Sequence, residues 1–171
     1  MKKIILLFTV VGVFGFQSCS GPEGPQGPQG PTGYNVEAEV FEVFADFTTT
    51  NNFSTLVNLN PTILSSDMIL VYRRFDIYNG ADVWRLIPQT VYLSQGNLDY
   101  NFDFTKNDIN LFLDSDFDLR TLSAQYTQNQ LFRIVIIPGY FSSRNAIDLN
   151  NYHEVIKYYN IDDTQVKRIE K

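Results

Sequence analysis

The chain has 171 residues, enough for one domain with appendages, and its 13 Lys+Arg against 19 Asp+Glu give a formal charge of −6. That balance excludes a nucleic-acid binder, whose affinity depends on cations that neutralise phosphates, while 44% hydrophobic and 15% aromatic residues exclude disorder throughout. One cysteine excludes a disulfide framework, and one histidine leaves little for zinc or triad chemistry; no cofactor is expected.

Residues 1–18 have the form of an export signal. Lys2 and Lys3 precede an apolar run from Ile4 to Phe16, which is shorter than the ~20 residues of a membrane-spanning helix. The run ends in Phe16-Gln17-Ser18-Cys19, which resembles the lipobox of bacterial lipoproteins, with Phe16 where leucine is usual and Gln17 where a small residue is usual. The resemblance implies that Cys19 carries diacylglycerol and becomes the mature N-terminus. A secreted precursor that retains Cys19, or an uncleaved anchor, are the alternatives. Without Lys2 and Lys3 the mature chain has 11 basic and 19 acidic residues, a charge of −8. Attachment to the membrane then rests on acyl chains and not on attraction to anionic lipid.

Residues 19–33 hold the cysteine and a collagen-like stub. Gly21, Gly24, Gly27, Gly30 and Gly33 recur with a period of three, and Pro22, Pro25, Pro28 and Pro31 follow the first four. Four complete triplets are too few to hold three chains together. A stiff polyproline-II stalk is the preferred reading, with a reach of roughly 40 Å at ~3.1 Å per residue, and a monomer is expected over a trimer.

Residues 34–171 read as an all-β domain, a β-sandwich (Ig-like or similar) of about seven or eight strands with one short C-terminal helix. Strands are expected over 36–47, where Glu42, Phe44 and Asp46 form the mixed, outward face, and over 55–59, ended by Asn60-Pro61. Met68 to Ile77 begins with a buried-looking apolar run and turns at Asn79-Gly80. Val83 to Leu93 is interrupted at Pro88, which cannot donate to a ladder. Gln95-Gly96-Asn97 is expected to be a hairpin turn. Leu98, Tyr100, Phe102 and Phe104 then alternate with Asp99, Asn101 and Asp103. Strands at 109–113 and 131–137 follow, the second ended by Pro138-Gly139. Only 151–159 reads as helix, with Asn150 or Asn151 as its cap. Thr164 to Ile169 is a closing strand or a frayed tail.

Few residues of the chain are spaced for chemistry. Asp114, Asp116 and Asp118 alternate like the start of a calcium loop, but Leu119 and Gln125 stand where an EF-hand needs glycine and glutamate. They are weak calcium candidates, and solvated aspartates at a strand edge are preferred. His153 beside Glu154 reads as a surface or cap residue, and Ser142-Ser143-Arg144 lacks a nucleophile-elbow context. No residue is expected to be catalytic, so the chain is read as a non-enzyme; carboxylate hydrolysis near Asp114 to Asp118 is the alternative. Of the 22 aromatics left after Phe8, Phe14 and Phe16 are removed, Trp84 beside Arg85 is the one singled out as a contact, weighed against a core role; Phe44 and Phe112 also face outward.

The lipobox, the Gly-Pro triplets and the stretches Val83-Trp84-Arg85-Leu86-Ile87-Pro88-Gln89-Thr90 and Thr127-Gln128-Asn129-Gln130-Leu131-Phe132-Arg133-Ile134-Val135-Ile136 together resemble small Bacteroidota-type lipoproteins with a collagen-like stub. The resemblance carries no activity or catalytic residue with it. It implies a Gram-negative envelope and delivery to the outer membrane, with the leaflet open, because Ser20-Gly21-Pro22-Glu23 offers a single acid after Cys19. The expected function is a lipid-anchored binding or scaffolding module on a stalk, with an envelope protein or a glycan as partner.

Overall fold

A computed structural model describes residues 38–139 and 147–169. The chain divides into two units, Met1–Tyr34 and Asn35–Lys171, and every described residue belongs to the second. The export signal, Cys19, the Gly-Pro triplets and Ser142-Ser143-Arg144 lie outside the described residues.

Nine strands are present among the described residues, in two sheets. The strands are β1 (Glu39–Ala45), β2 (Ser54–Asn58), β3 (Met68–Tyr78), β4 (Ala81–Leu86), β5 (Gln89–Leu93), β6 (Gly96–Phe104), β7 (Asp108–Ser115), β8 (Gln130–Ile137) and β9 (Lys167–Ile169). One sheet runs β4-β3-β8-β1-β9 and the other β2-β7-β6-β5. Every pairing is antiparallel except β1 with β9. The fold is a β-sandwich, as expected, with one or two strands more than the alternation suggests. Thr164 to Ile169 resolves as a closing strand over its last three residues.

The core lies between the sheets. Phe41, Val43, Ala45, Val71, Phe132 and Ile134 meet Val57, Leu98, Tyr100, Ile109 and Leu111. The ring of Phe47 stands edge-on to those of Tyr100 and Phe132, at 6.3 and 6.0 Å, a favoured aromatic arrangement. The outer face of the five-stranded sheet is covered as well: Leu70, Tyr72, Val135 and Ile137 pack against Tyr152, Val155 and Ile161. Coverage on both faces explains why Met68 to Tyr72 and Leu131 to Ile137 are nearly continuous apolar runs and do not alternate. The covering element is α2 (Tyr152–Tyr158), and Asn151 caps it, its side chain accepting from the Glu154 N–H.

Two turns differ in outcome. Asn79 and Gly80 both have positive φ, 51° and 80°, and join Tyr78 to its partner Ala81, as a two-residue hairpin loop requires. The β5–β6 turn sits earlier than expected: Leu93 already pairs with Gly96, so the loop is Ser94-Gln95. Gly96 has φ 140°, and a Cβ there would collide with the Asp116 carboxylate and the Phe117 ring. At Ile87-Pro88 the chain leaves one sheet and enters the other, the interruption expected at that proline. Two short helical pieces had no signal in the sequence, a 3-10 turn at Leu119–Thr121 and α1 (Ala124–Thr127). Both are too brief for a 3.6-residue period to register. Among the described residues, no helix is long and apolar enough to cross a membrane.

Candidate functional site

The outer face of the five-stranded sheet carries most of the organised polar chemistry. Glu42, at the centre of β1, was expected to face solvent and is instead only 3% exposed. Its Oε1 accepts from Arg133 Nε and Nη2 at 3.0 and 2.6 Å. Its Oε2 accepts from Arg168 Nε and Nη2 at 3.2 and 2.7 Å. Arg133 is its register partner on β8 and Arg168 its register partner on β9, so the sheet itself brings both guanidiniums to one carboxylate. Burial alone would raise the Glu42 carboxyl; the hydrogen bonds from Arg168 and Arg133, with their charges, hold it below its ordinary value.

The network continues into α2. Arg133 Nη1 donates to Tyr152 Oη at 2.8 Å, and Tyr152 Oη donates to Asp163 Oδ2 at 2.9 Å. Tyr72 Oη donates to the Leu149 carbonyl at 2.7 Å, tying the segment before α2 to β3. Burial raises both the Tyr72 and the Tyr152 phenol, so each remains a protonated donor.

Trp84 sits beside this network. The Arg133 guanidinium carbon lies 4.2 Å from the centroid of the indole and 5.0 Å from that of Tyr152, and Tyr152 is 6.2 Å from Trp84. The half-buried indole is therefore held between a fixed cation and a fixed phenol ring. It lines a concavity of about 500 Å3, with Tyr78, Asp82, Asp148, Asn151 and His153 among the other walls. That volume is within the range of small-molecule sites, roughly 300–1,000 Å3. Asp82 faces Arg74 in an ion pair of 3.4 Å, and Asp148 Oδ1 accepts from the Asn150 N–H and Nδ2 at 2.9 and 3.0 Å. Both readings of Trp84 hold in part, since it packs against the α2 cluster and also presents itself to the concavity. Its neighbour Arg85 lies on the other face, its guanidinium carbon 3.3 Å from the Phe75 ring centroid.

The aspartate series is not gathered into a site. Asp114 Oδ1 accepts from the Ser115 N–H at 2.9 Å, and Asp116 Oδ1 from the Asn97 N–H at 2.8 Å. Asp118 caps the 3-10 turn and binds Arg120 through both oxygens. The Arg120 hydrogen bonds hold its carboxyl down at about 2. Among the described residues no group of three His, Cys, Asp or Glu side chains is placed to hold a metal ion. Phe44 lies under Arg168, 5.2 Å from its guanidinium carbon, and Phe112 is half-buried on β7. His153 lies on the exposed side of α2, 5.8 Å from the Tyr152 ring.

Sequence reasoning singled out Trp84 but missed Tyr78, Asp82, Asp148 and Asn151, which reach the concavity from separate elements. It also missed Glu42, whose only local signal is an acid at the centre of a strand that proves to be flanked on both sides in its sheet. The chain matches no known protein family, no curated protein and no solved structure.

Proposed function

We propose that the chain is a non-enzymatic binding module, lipid-anchored to the outer membrane through Cys19, and that the Trp84 concavity receives a glycan of the cell envelope. The observation that carries this reading is the composition of the concavity: an immobilised indole, a rim tyrosine, two carboxylates and an asparagine amide. Aromatic faces take the apolar face of a sugar ring, while carboxylate and amide groups take its hydroxyls. The Arg133–Tyr152–Asp163 relay supports it, since a preorganised wall lowers the ordering cost of binding. Asp114, Asp116 and Asp118 are committed to backbone or arginine donors, which supports binding over carboxylate hydrolysis there. The lipobox-like run to Cys19 and the Gly-Pro triplets support an anchor and a stalk.

Affinity electrophoresis through gels containing envelope polysaccharides tests the site. The wild-type chain is expected to be retarded in at least one gel. Tyr78→Ala, a substitution at a 69% exposed rim residue, is expected to weaken retention several-fold, and Trp84→Ala to abolish it. A wild-type chain that migrates freely in every such gel contradicts the glycan and leaves an envelope protein as the partner to be sought.

A further inference from the structure

The opposite face of the β3–β4 edge holds a second concavity, of about 340 Å3, lined by Arg73, Phe75, Val91, Gln125 and Tyr126. Arg73 is 7% exposed. Its Nε and Nη2 both donate to one neutral acceptor, Gln130 Oε1, at 3.0 and 2.6 Å, and its guanidinium carbon lies 3.9 Å from the centroid of the Tyr100 ring. Among the described residues no carboxylate pairs with it. A buried cation without a counter-ion is costly, and here the cost is compounded. Arg85 is the register partner of Arg73 across β3–β4, and it too has no acid partner among the described residues. Like charges directly opposite one another on a sheet are destabilising. Burial lowers the Arg73 guanidinium from its ordinary value, Tyr100 opposes that, and Arg85 adds to it.

A second irregularity adjoins the first. Gln89 begins β5 and is the register partner of Tyr100; it is 8% exposed, yet both its Nε2 and Oε1 are buried with no hydrogen-bond partner. Buried polar groups are almost always satisfied. A buried cation without an anion thus lies over the Tyr100 ring, and an unsatisfied amide stands on the register partner of that tyrosine, in a chain whose overall charge is −6.

We propose that this inner-edge concavity binds a small organic ligand through an oxyanion (carboxylate, sulfate or phosphate) that pairs with Arg73 and is drawn by the charge of its register partner, Arg85. A guanidinium carries five N–H donors, more than the two bonds from Arg73 to Gln130 use, and such donors suit planar or tetrahedral oxyanions. Phe75 and Val91 supply apolar walls for the ligand's carbon skeleton. Because the chain as a whole is acidic, long-range attraction does not bring anions here. Selection instead comes from short contacts in a partly dehydrated cleft, which salt screens weakly.

The test is thermal unfolding and calorimetric titration of the full chain in detergent with sodium glucuronate, sulfate and phosphate, against chloride at equal ionic strength. At least one oxyanion is expected to bind saturably and to raise Tm by about 3 °C at ten times its Kd; which of the three does so identifies the oxyanion. Arg85→Gln, at an exposed position, is expected to weaken that binding about tenfold, and Arg73→Met to remove it. Trp84→Ala is expected to leave it intact, so this site and the Trp84 site fail or stand separately. Responses no larger than those to chloride, or saturable binding unaltered in Arg85→Gln, would overturn the proposal. If Arg73→Met does not fold, the Arg85→Gln titration decides.

Discussion

Glu42 is the residue on which the outer face depends, since one carboxylate joins three strands. Its two arginines differ in exposure, the Arg133 side chain at 13% and that of Arg168 at 50%. Replacing Glu42 by alanine takes both short carboxylate hydrogen bonds from the buried Arg133 guanidinium and leaves it Asp163 at 3.6 Å, which costs about 3 kcal/mol. Arg168→Ala removes a half-exposed partner and costs at most about 1 kcal/mol. Urea denaturation of the two variants checks the difference. The same carboxylate makes stability depend on pH. Its folded pKa lies below its ordinary value of 4.5, so the unfolded chain takes up the proton first. The contribution of Glu42 is complete above about pH 4.5 and is lost as the pH falls below that. Glu42→Gln is therefore expected to be the weaker protein at pH ~7 and to lose less stability than wild type on acidification. Equal losses in the two proteins would contradict this assignment.

At the scale of elements, what the sequence reveals depends on how local the cause is. The alternation of β6 and the apolar run of β3 were legible because strand periodicity is written into neighbouring residues. The Asn79-Gly80 turn was legible because positive φ at successive positions restricts the residue types. Glu42 read as solvent-facing because its partners lie 91 and 126 residues away, and no local pattern announces them. The concavity was illegible for the same reason: Trp84 comes from β4, while Asp148 and Asn151 precede α2. Gly96 lies between these cases. It was legible as a turn glycine, but the Asp116 and Phe117 side chains that crowd it come from beyond the end of β7. Gly96→Ala is expected to destabilise the fold by about 2 kcal/mol, through strained φ and the collision, with thermal unfolding as the check. The tether of α2 gives a milder prediction. Tyr72→Phe removes the hydrogen bond to the Leu149 carbonyl and costs about 1 kcal/mol, and amide exchange in 152–158 should accelerate more than in β8.

At the scale of the whole molecule, the described residues form a sandwich carrying two concavities on opposite faces of one sheet edge, and the proposed function adds a lipid anchor at Cys19. The net charge of the mature chain under that reading, −8, keeps the domain off an anionic bilayer, so its position depends on acylation. Cys19→Ala is accordingly expected to move the protein from the membrane fraction to the soluble fraction without changing its unfolding curve. Membrane retention of the variant equal to wild type would remove the anchor. The central claim, that the Trp84 concavity receives a glycan, has a built-in reporter, because the chain contains a single tryptophan. The most direct measurement is its emission during titration with soluble envelope oligosaccharides. Glycan binding at Trp84 is expected to give a saturable change in wavelength or intensity that is weakened in Tyr78→Ala. An emission spectrum unmoved by every oligosaccharide up to its solubility limit would contradict it.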